Sequence, residues 1–299
     1  MAGLAPGRLL QPAAELCAEL RGLLAETGFV VLRFQRPLDV AEMQGAISLF
    51  GEVKSGQARC QDGSMRQYLR YDHKGIAEHL RGTGIMEHRS GLVLTADQLE
   101  EMGVTGTGGT EARPFVYEGF HTDDSYTEEP AGITMLHARE LPPSGGGDTM
   151  FIDMAAAFRR LDDERVESLR GLCAVHAYNN HDAFPPRPSA AGANDVLIQP
   201  RHPILRRQPL SGASAVYMDL DRATGEVDGM TWEDGQALLQ GLQDEAEATA
   251  PRYSHRWAPH DVLVWDNIMV QHAASSDFKV GENRTMWRCL LEGETPQPY

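Results

Sequence analysis

The stretch ITMLHARELPPSGGGDTMFI, residues 133–152, decides how the chain is read. Two short apolar runs, Ile133 to Ala138 and Thr149 to Ile152, flank PPSGGGD, a cluster of turn-forming residues. Runs of that length, bounded by Pro and Gly, read as β-strands. The same signature recurs downstream. Leu172 to Tyr178 alternates as a strand, and Ile204–Arg207 and Ala215–Asp219 flank PLSGAS, which predicts a hairpin. His255–Trp257, Val262–Trp265 and Thr285–Leu291 read as further strands. Upstream, Phe29–Phe34 and Met65–Tyr71 read the same way. Helical spacing of apolar residues predicts helices over 12–26 with Gly28 as the stop, Val40–Phe50, Met154–Leu169 and Trp232–Ala248. Thr95–Met102 opens on an N-cap threonine with Gln98 at the third helical position, and Gly103–Gly109 reads as a loop. Asn179–Asn194 has no apolar period. It reads as a long loop of the kind that tends to cover a functional site. Many short strands with helices beside them predict a mainly β fold with flanking helices, a sandwich or jelly roll. No repeat, low-complexity tract or linker divides the chain, so residues 1–299 read as a single domain.

Composition narrows the function. The formal net charge of −16 repels a phosphate backbone and argues against nucleic acid as a partner. It leaves room for a local basic pocket and a small anionic substrate. Cys17, Cys60, Cys173 and Cys289 form no C-x-x-C pair, which excludes a zinc ribbon and a thioredoxin-like motif. They read as free thiols of a reducing compartment. Met1–Leu10 lacks the apolar core of a signal peptide, and no apolar run reaches bilayer length. The expectation is a cytoplasmic protein with no membrane contact.

The chemistry begins at His121-Thr122-Asp123. In an extended segment residues i and i+2 share a face, so one imidazole and one carboxylate would project into one space. A second imidazole, His272, would complete two nitrogens and one oxygen on one side of a metal. That donor set leaves open positions on Fe(II) for a co-substrate and oxygen. His272 equally suits a strand end where it bonds to backbone. In NRTMWRCLLEG, a strand would put Arg284, Met286 and Arg288 on one face and Thr285, Trp287 and Cys289 on the other. Arginines facing a sheet interior call for an anion, and a guanidinium suits a dicarboxylate. Exposed arginines paired with Asp277 or Glu282 are the plainer alternative. Thr149, just past the glycine turn, could add a hydroxyl to the same carboxylate or be an ordinary turn residue.

Taken in order, HTD (121–123), EEPAGITMLHARELP (128–142), GGDT (146–149), WDNIMVQH (265–272) and RTMWR (284–288) resemble the Fe(II)/2-oxoglutarate dioxygenases of the TauD/TfdA family. The resemblance covers about Gly119 to Gly293. It implies a double-stranded β-helix, a cupin-like jelly roll. It implies His121, Asp123 and His272 as ligands of Fe(II), and Thr149 and Arg284 as partners of the distal carboxylate of 2-oxoglutarate. It implies Arg288 as a contact of the prime substrate, and an O2-dependent hydroxylation of a small polar or anionic molecule that releases succinate and CO2. Retention of Asp123 sets the chain apart from related iron halogenases, which lack that carboxylate. Tyr117 and Asn267 are further candidates for substrate contact, as are Tyr68, Arg70 and the 179–194 loop. Residues 59–114 match the family less well, so the substrate is not carried over; specialised metabolism suits that divergence. The alternative is a cupin-like metal enzyme that does not use 2-oxoglutarate.

Overall fold

A computed structural model describes residues 9, 14–59, 63–67, 78–90, 119–177, 199–220 and 223–299. The strands expected around the glycine turn are β5 (Ile133–Glu140) and β6 (Thr149–Asp153). They belong to different sheets. β2 (Gln57–Arg59), β3 (Met65–Gln67), β7 (Cys173–His176), β8 (Arg201–Pro203), β9 (Leu205–Arg207), β10 (Ser214–Val216) and β11 (Ala223–Val227) lie outside these two main sheets. β5 is the centre of a five-stranded antiparallel sheet in the order β1 (Phe29–Arg33), β13 (Asp261–Asp266), β5, β15 (Arg284–Leu291), β4 (Met86–Ser90). β6 is the centre of a smaller one, between β12 (Arg252–His255) and β14 (Val270–Ala274). The turn at 142–148 therefore carries the chain from one sheet to the other.

The two sheets pack face to face. Phe151 of β6 stacks on Phe29 with ring centroids 5.1 Å apart and meets Trp265 edge-on at 5.7 Å. The helices at Ala14–Thr27 and Val40–Ser48 cover the other face of the large sheet. Strand alternation explains the division. Along β13, Leu263 and Trp265 join the core between the sheets, whereas Val262 and Val264 join the core under the helices. Along β15 the expected faces are observed, with Met286 between the sheets and Trp287 and Cys289 beneath the helices. No helix among the described residues is long and apolar enough to cross a membrane.

Several expectations need correction. The helix read over Met154–Leu169 is two helices, Met154–Arg160 and Asp163–Leu169. Asp162 interrupts it, because its carboxylate accepts from the Arg165 amide at 2.7 Å and caps a new N-terminus. The strand Met86–Ser90 carries no signal in the sequence, since GIMEHRS has too few apolar residues to show the period. His121 and Asp123 do not share a strand. His121 makes an isolated β-bridge with His272, and Asp123 begins a turn. The helix read at 95–102, the loops at 103–109 and 179–194, and Tyr68, Arg70 and Tyr117 lie outside the described residues.

Candidate active site

The backbone positions the two histidines. His121 N donates to His272 O at 3.0 Å and His272 N to His121 O at 2.9 Å. This bridge sets the two rings 4.2 Å apart between centroids. β14 is held in turn by β6, where His272 faces Phe151 in register. His121 Nδ1 lies 2.9 Å from Gly119 O. A carbonyl only accepts, so Nδ1 carries the proton and Nε2 keeps its lone pair for a metal. Asp123 closes the group, with oxygens 3.9 Å from His121 Nε2 and 3.6 Å from His272 Nε2.

The donor atoms of His121, Asp123 and His272 all lie within 4.8 Å of one another, and all three residues are buried. Two donors bound at ~2.1 Å to one ion can be at most about 4.2 Å apart, so both histidine–carboxylate separations are within reach of a shared ion. Two neutral imidazoles and one carboxylate on one side fit Fe(II) and leave positions open. Asp123 begins a turn rather than continuing a strand, yet the same three groups converge.

Asp123 is oriented by a directed chain of hydrogen bonds. Trp265 Nε1 donates to Asn267 Oδ1 at 3.0 Å. An indole nitrogen only donates, so this fixes which end of the Asn267 amide is oxygen. Asn267 Nδ2 then donates to Thr134 Oγ1 at 2.9 Å, and Thr134 donates to Asp123 Oδ2 at 2.6 Å. Every proton in the series points toward the carboxylate and favours its ionised form. Asn267 is thus placed behind Asp123, 1% exposed, with its amide engaged by Trp265 and Thr134. Thr134, which sequence reading missed, is the last donor. Thr134→Val keeps the shape and removes the donor. It should weaken metal binding about 10- to 100-fold and cost ~1–3 kcal/mol of stability, because Asn267 Nδ2 loses its acceptor. Anaerobic calorimetry of the apoprotein with Fe(II) reads the first effect; an unchanged affinity would mean that the chain of donors does not govern the ligand.

Arg284 and Arg288 both project between the sheets from β15. Arg284 is 6% exposed, and its one hydrogen bond among the described residues runs from Nε to Gly147 O at 2.9 Å. Burial brings its pKa down to about 10, opposed by the charge of Asp148. It remains a cation, and among the described residues no carboxylate lies within ion-pair distance of it. The glycine turn makes room for it. Gly147 has φ +70°, and a Cβ there would come within 2.8 Å of Arg284 Cδ. Thr149 is 2% exposed and accepts from Trp257 Nε1 at 3.2 Å. The Trp257 ring lies 5.9 Å from the Arg284 guanidinium carbon. Arg288 pairs with Asp123 through Nη2.

His88 completes this face and was not read from sequence. It stands opposite Met286 in the β4–β15 register, so it lies on the same face as both arginines. The residue as a whole keeps exposed surface. The surrounding protein and the charges of Arg288 and Arg284 nonetheless push its pKa down to about 4, with Asp123 pulling the other way. It is a neutral imidazole at neutral pH.

A profile described as "Taurine catabolism dioxygenase TauD, TfdA family" matches residues 4–290. The chain belongs to the TauD/TfdA family. The match takes in the first third as well, which motif reading had left out. The family uses Fe(II) and 2-oxoglutarate, so this dioxygenase is 2-oxoglutarate-dependent, and the alternative of a cupin-like enzyme without that co-substrate falls away. It is 30% identical over 224 residues to pentalenolactone F synthase of Streptomyces arenae, covering 70% of this chain and 72% of that one. It is 28% identical over 179 residues to an α-ketoglutarate-dependent sulfonate dioxygenase of Saccharomyces cerevisiae, covering 60% of this chain but only 43% of the relative. Among solved structures, AAD-2 in complex with Mn(II) and N-oxalylglycine superposes with a TM-score of 0.71 at 21% identity, covering 99% of this chain and 93% of that one. A taurine dioxygenase from Burkholderia xenovorans superposes at 0.69 with 21% identity, covering 97% and 85%. These likenesses establish the double-stranded β-helix for the TauD/TfdA dioxygenase described here.

Proposed function

We propose that this dioxygenase hydroxylates an unactivated C–H bond of a small polar substrate that carries an anionic group. The observation that carries the reading is the face formed by Arg288 and His88 beside Asp123, separate from the buried Arg284. His121, Asp123 and His272 would hold Fe(II), whose chemistry with 2-oxoglutarate and O2 would supply the oxidation, with succinate and CO2 as co-products. Arg284 and Thr149 take the distal carboxylate of 2-oxoglutarate. A buried guanidinium whose Nη groups meet no acceptor among the described residues is costly until an anion meets it, and a carboxylate offers the matching planar pair. Arg288 is 20% exposed at its side chain, so it can reach a second anion while its Nη2 holds Asp123. His88, neutral between two cations, can donate to that anion without adding charge. Asn267 and Thr134 keep the carboxylate ligand in place. Several relatives are named for anionic compounds, among them a sulfate ester dioxygenase of Pseudomonas putida and a 2,4-dichlorophenoxyacetate dioxygenase of Cupriavidus pinatubonensis. A single catalytic domain in a reducing, cytoplasmic setting accords with the free thiols Cys17, Cys173 and Cys289.

The test is O2-dependent succinate formation with a panel of sulfonates, sulfate esters and carboxylates, each paired with its neutral amide or ester. The anionic members should be turned over in preference. For the best of them, Arg288→Ala should raise KM roughly 10- to 100-fold, the scale of a charge-assisted hydrogen bond of about 1.5–3 kcal/mol. The KM for 2-oxoglutarate should stay unchanged. Equal turnover of the neutral partners would overturn the reading.

A further inference from the structure

We infer that Trp257 is a positioning residue for the co-substrate. It commits Thr149 to donating its hydroxyl proton toward the distal carboxylate and covers the guanidinium that binds the same group. The inference rests on Arg284 and Thr149 holding that carboxylate, and it adds a requirement that neither residue meets alone.

The argument is one of donor direction. A threonine hydroxyl can donate or accept, and its one proton can point to any acceptor nearby. Left alone at a carboxylate site, it is one rotor among several orientations. Trp257 Nε1 lies 3.2 Å from Thr149 Oγ1 and can only donate. One lone pair of Oγ1 is therefore engaged from the tryptophan side. The hydroxyl proton must point elsewhere, and a carboxylate is an acceptor. The contact thus makes Thr149 a donor of set direction before the co-substrate arrives, which lowers the ordering cost of binding.

The indole is itself held. Trp257 is 8% exposed, and its ring meets the edge of the His255 ring at 4.7 Å with planes 84° apart. His255 is fully buried, lies opposite Thr149 in the β12–β6 register, and has Nε2 3.2 Å from Asp261 Oδ2. His255 and Trp257 are two residues apart, so one short segment fixes both the strand position of Thr149 and the donor to its hydroxyl. The indole face lies 5.9 Å from the guanidinium carbon of Arg284, at the outer limit of a cation–π contact. Trp257 thus touches both residues assigned to the carboxylate. It lies outside the 2-His-1-carboxylate group and its supporting donors, so its loss should be felt at the far end of 2-oxoglutarate and not at the metal.

Trp257→Phe removes the N–H and keeps an aromatic ring beside Arg284. Binding is read by calorimetry on the Mn(II)-loaded protein with two ligands, 2-oxoglutarate and 2-oxopentanoate, which has a methyl group in place of the distal carboxylate. The expected result is about fivefold weaker binding of 2-oxoglutarate, the scale of one neutral hydrogen bond. Affinities for 2-oxopentanoate and for Mn(II) should be unchanged. In a Thr149→Val background, Trp257→Phe should have no further effect. Equal weakening of both ligands would show a merely structural residue and overturn the inference. So would undiminished 2-oxoglutarate binding in Trp257→Phe when Arg284→Ala still weakens it. If Arg284→Ala itself leaves 2-oxoglutarate binding intact, the carboxylate site has been misassigned and the underlying reading fails, whatever Trp257 does.

Discussion

Asp123→Ala is expected to abolish succinate formation, with a loss on the order of 10³-fold or more. Changes in groups that merely support a ligand cost about 10- to 100-fold, and removing the ligand itself exceeds that. Asp123 brings the single negative charge among the three donor residues, and both of its oxygens are engaged. Oδ2 accepts from Thr134 at 2.6 Å, and Oδ1 pairs with Arg288. The alanine variant removes the carboxylate that Arg288 pairs with beside the two imidazoles, which disfavours a divalent cation further. The same variant strands the Thr134 hydroxyl, so some stability is lost as well. Thermal unfolding of the metal-free protein separates the two effects. A folded variant that binds no Fe(II) is the expected outcome. Succinate production at the parent rate would remove Asp123 from the metal site.

Arg284→Ala should produce the second large effect, at the other end of the co-substrate. Removing one partner of a desolvated, hydrogen-bonded charge pair costs about 2–5 kcal/mol, or roughly 30- to 4000-fold in affinity. The apparent requirement for 2-oxoglutarate should rise by that order while Fe(II) affinity is retained, since Arg284 makes no hydrogen bond to His121, Asp123 or His272. Arg284→Lys is the sharper control. It keeps the charge but loses the planar fork, so it should fall between the parent and the alanine variant. An alanine variant with parental dependence on 2-oxoglutarate would release Arg284 from this role.

Much of the site was legible because the relevant signals are local. His121 and Asp123 are two residues apart, and the alternation of RTMWRC put both arginines on one face without reference to any partner strand. The glycine turn before Thr149 showed in composition, but its purpose did not. Gly147 is needed because the Arg284 side chain passes where a Cβ would stand, and those residues are far apart in the chain. His88 escaped notice for a related reason. MEHRS is too polar to announce a strand, and only pairing with β15 sets His88 between two arginines nearly two hundred residues away. Asn267 is a further case. The sequence offered it as a candidate for substrate contact, and only the structure shows its amide buried between Trp265 and Thr134, behind the carboxylate.

By itself, then, the sequence determined the strand-rich fold, the face on which each β15 side chain lies, and the residue types suited to a metal and to an anion. These follow from backbone periods of two and 3.6 and from the chemistry of single side chains. Only the tertiary structure decided which groups meet. The β-bridge between His121 and His272, the donor series from Trp265 to Asp123, and the contact of Trp257 with Thr149 all depend on strand register. Register is set by burying one face of each strand in a shared core, a condition on the whole chain that no short segment encodes.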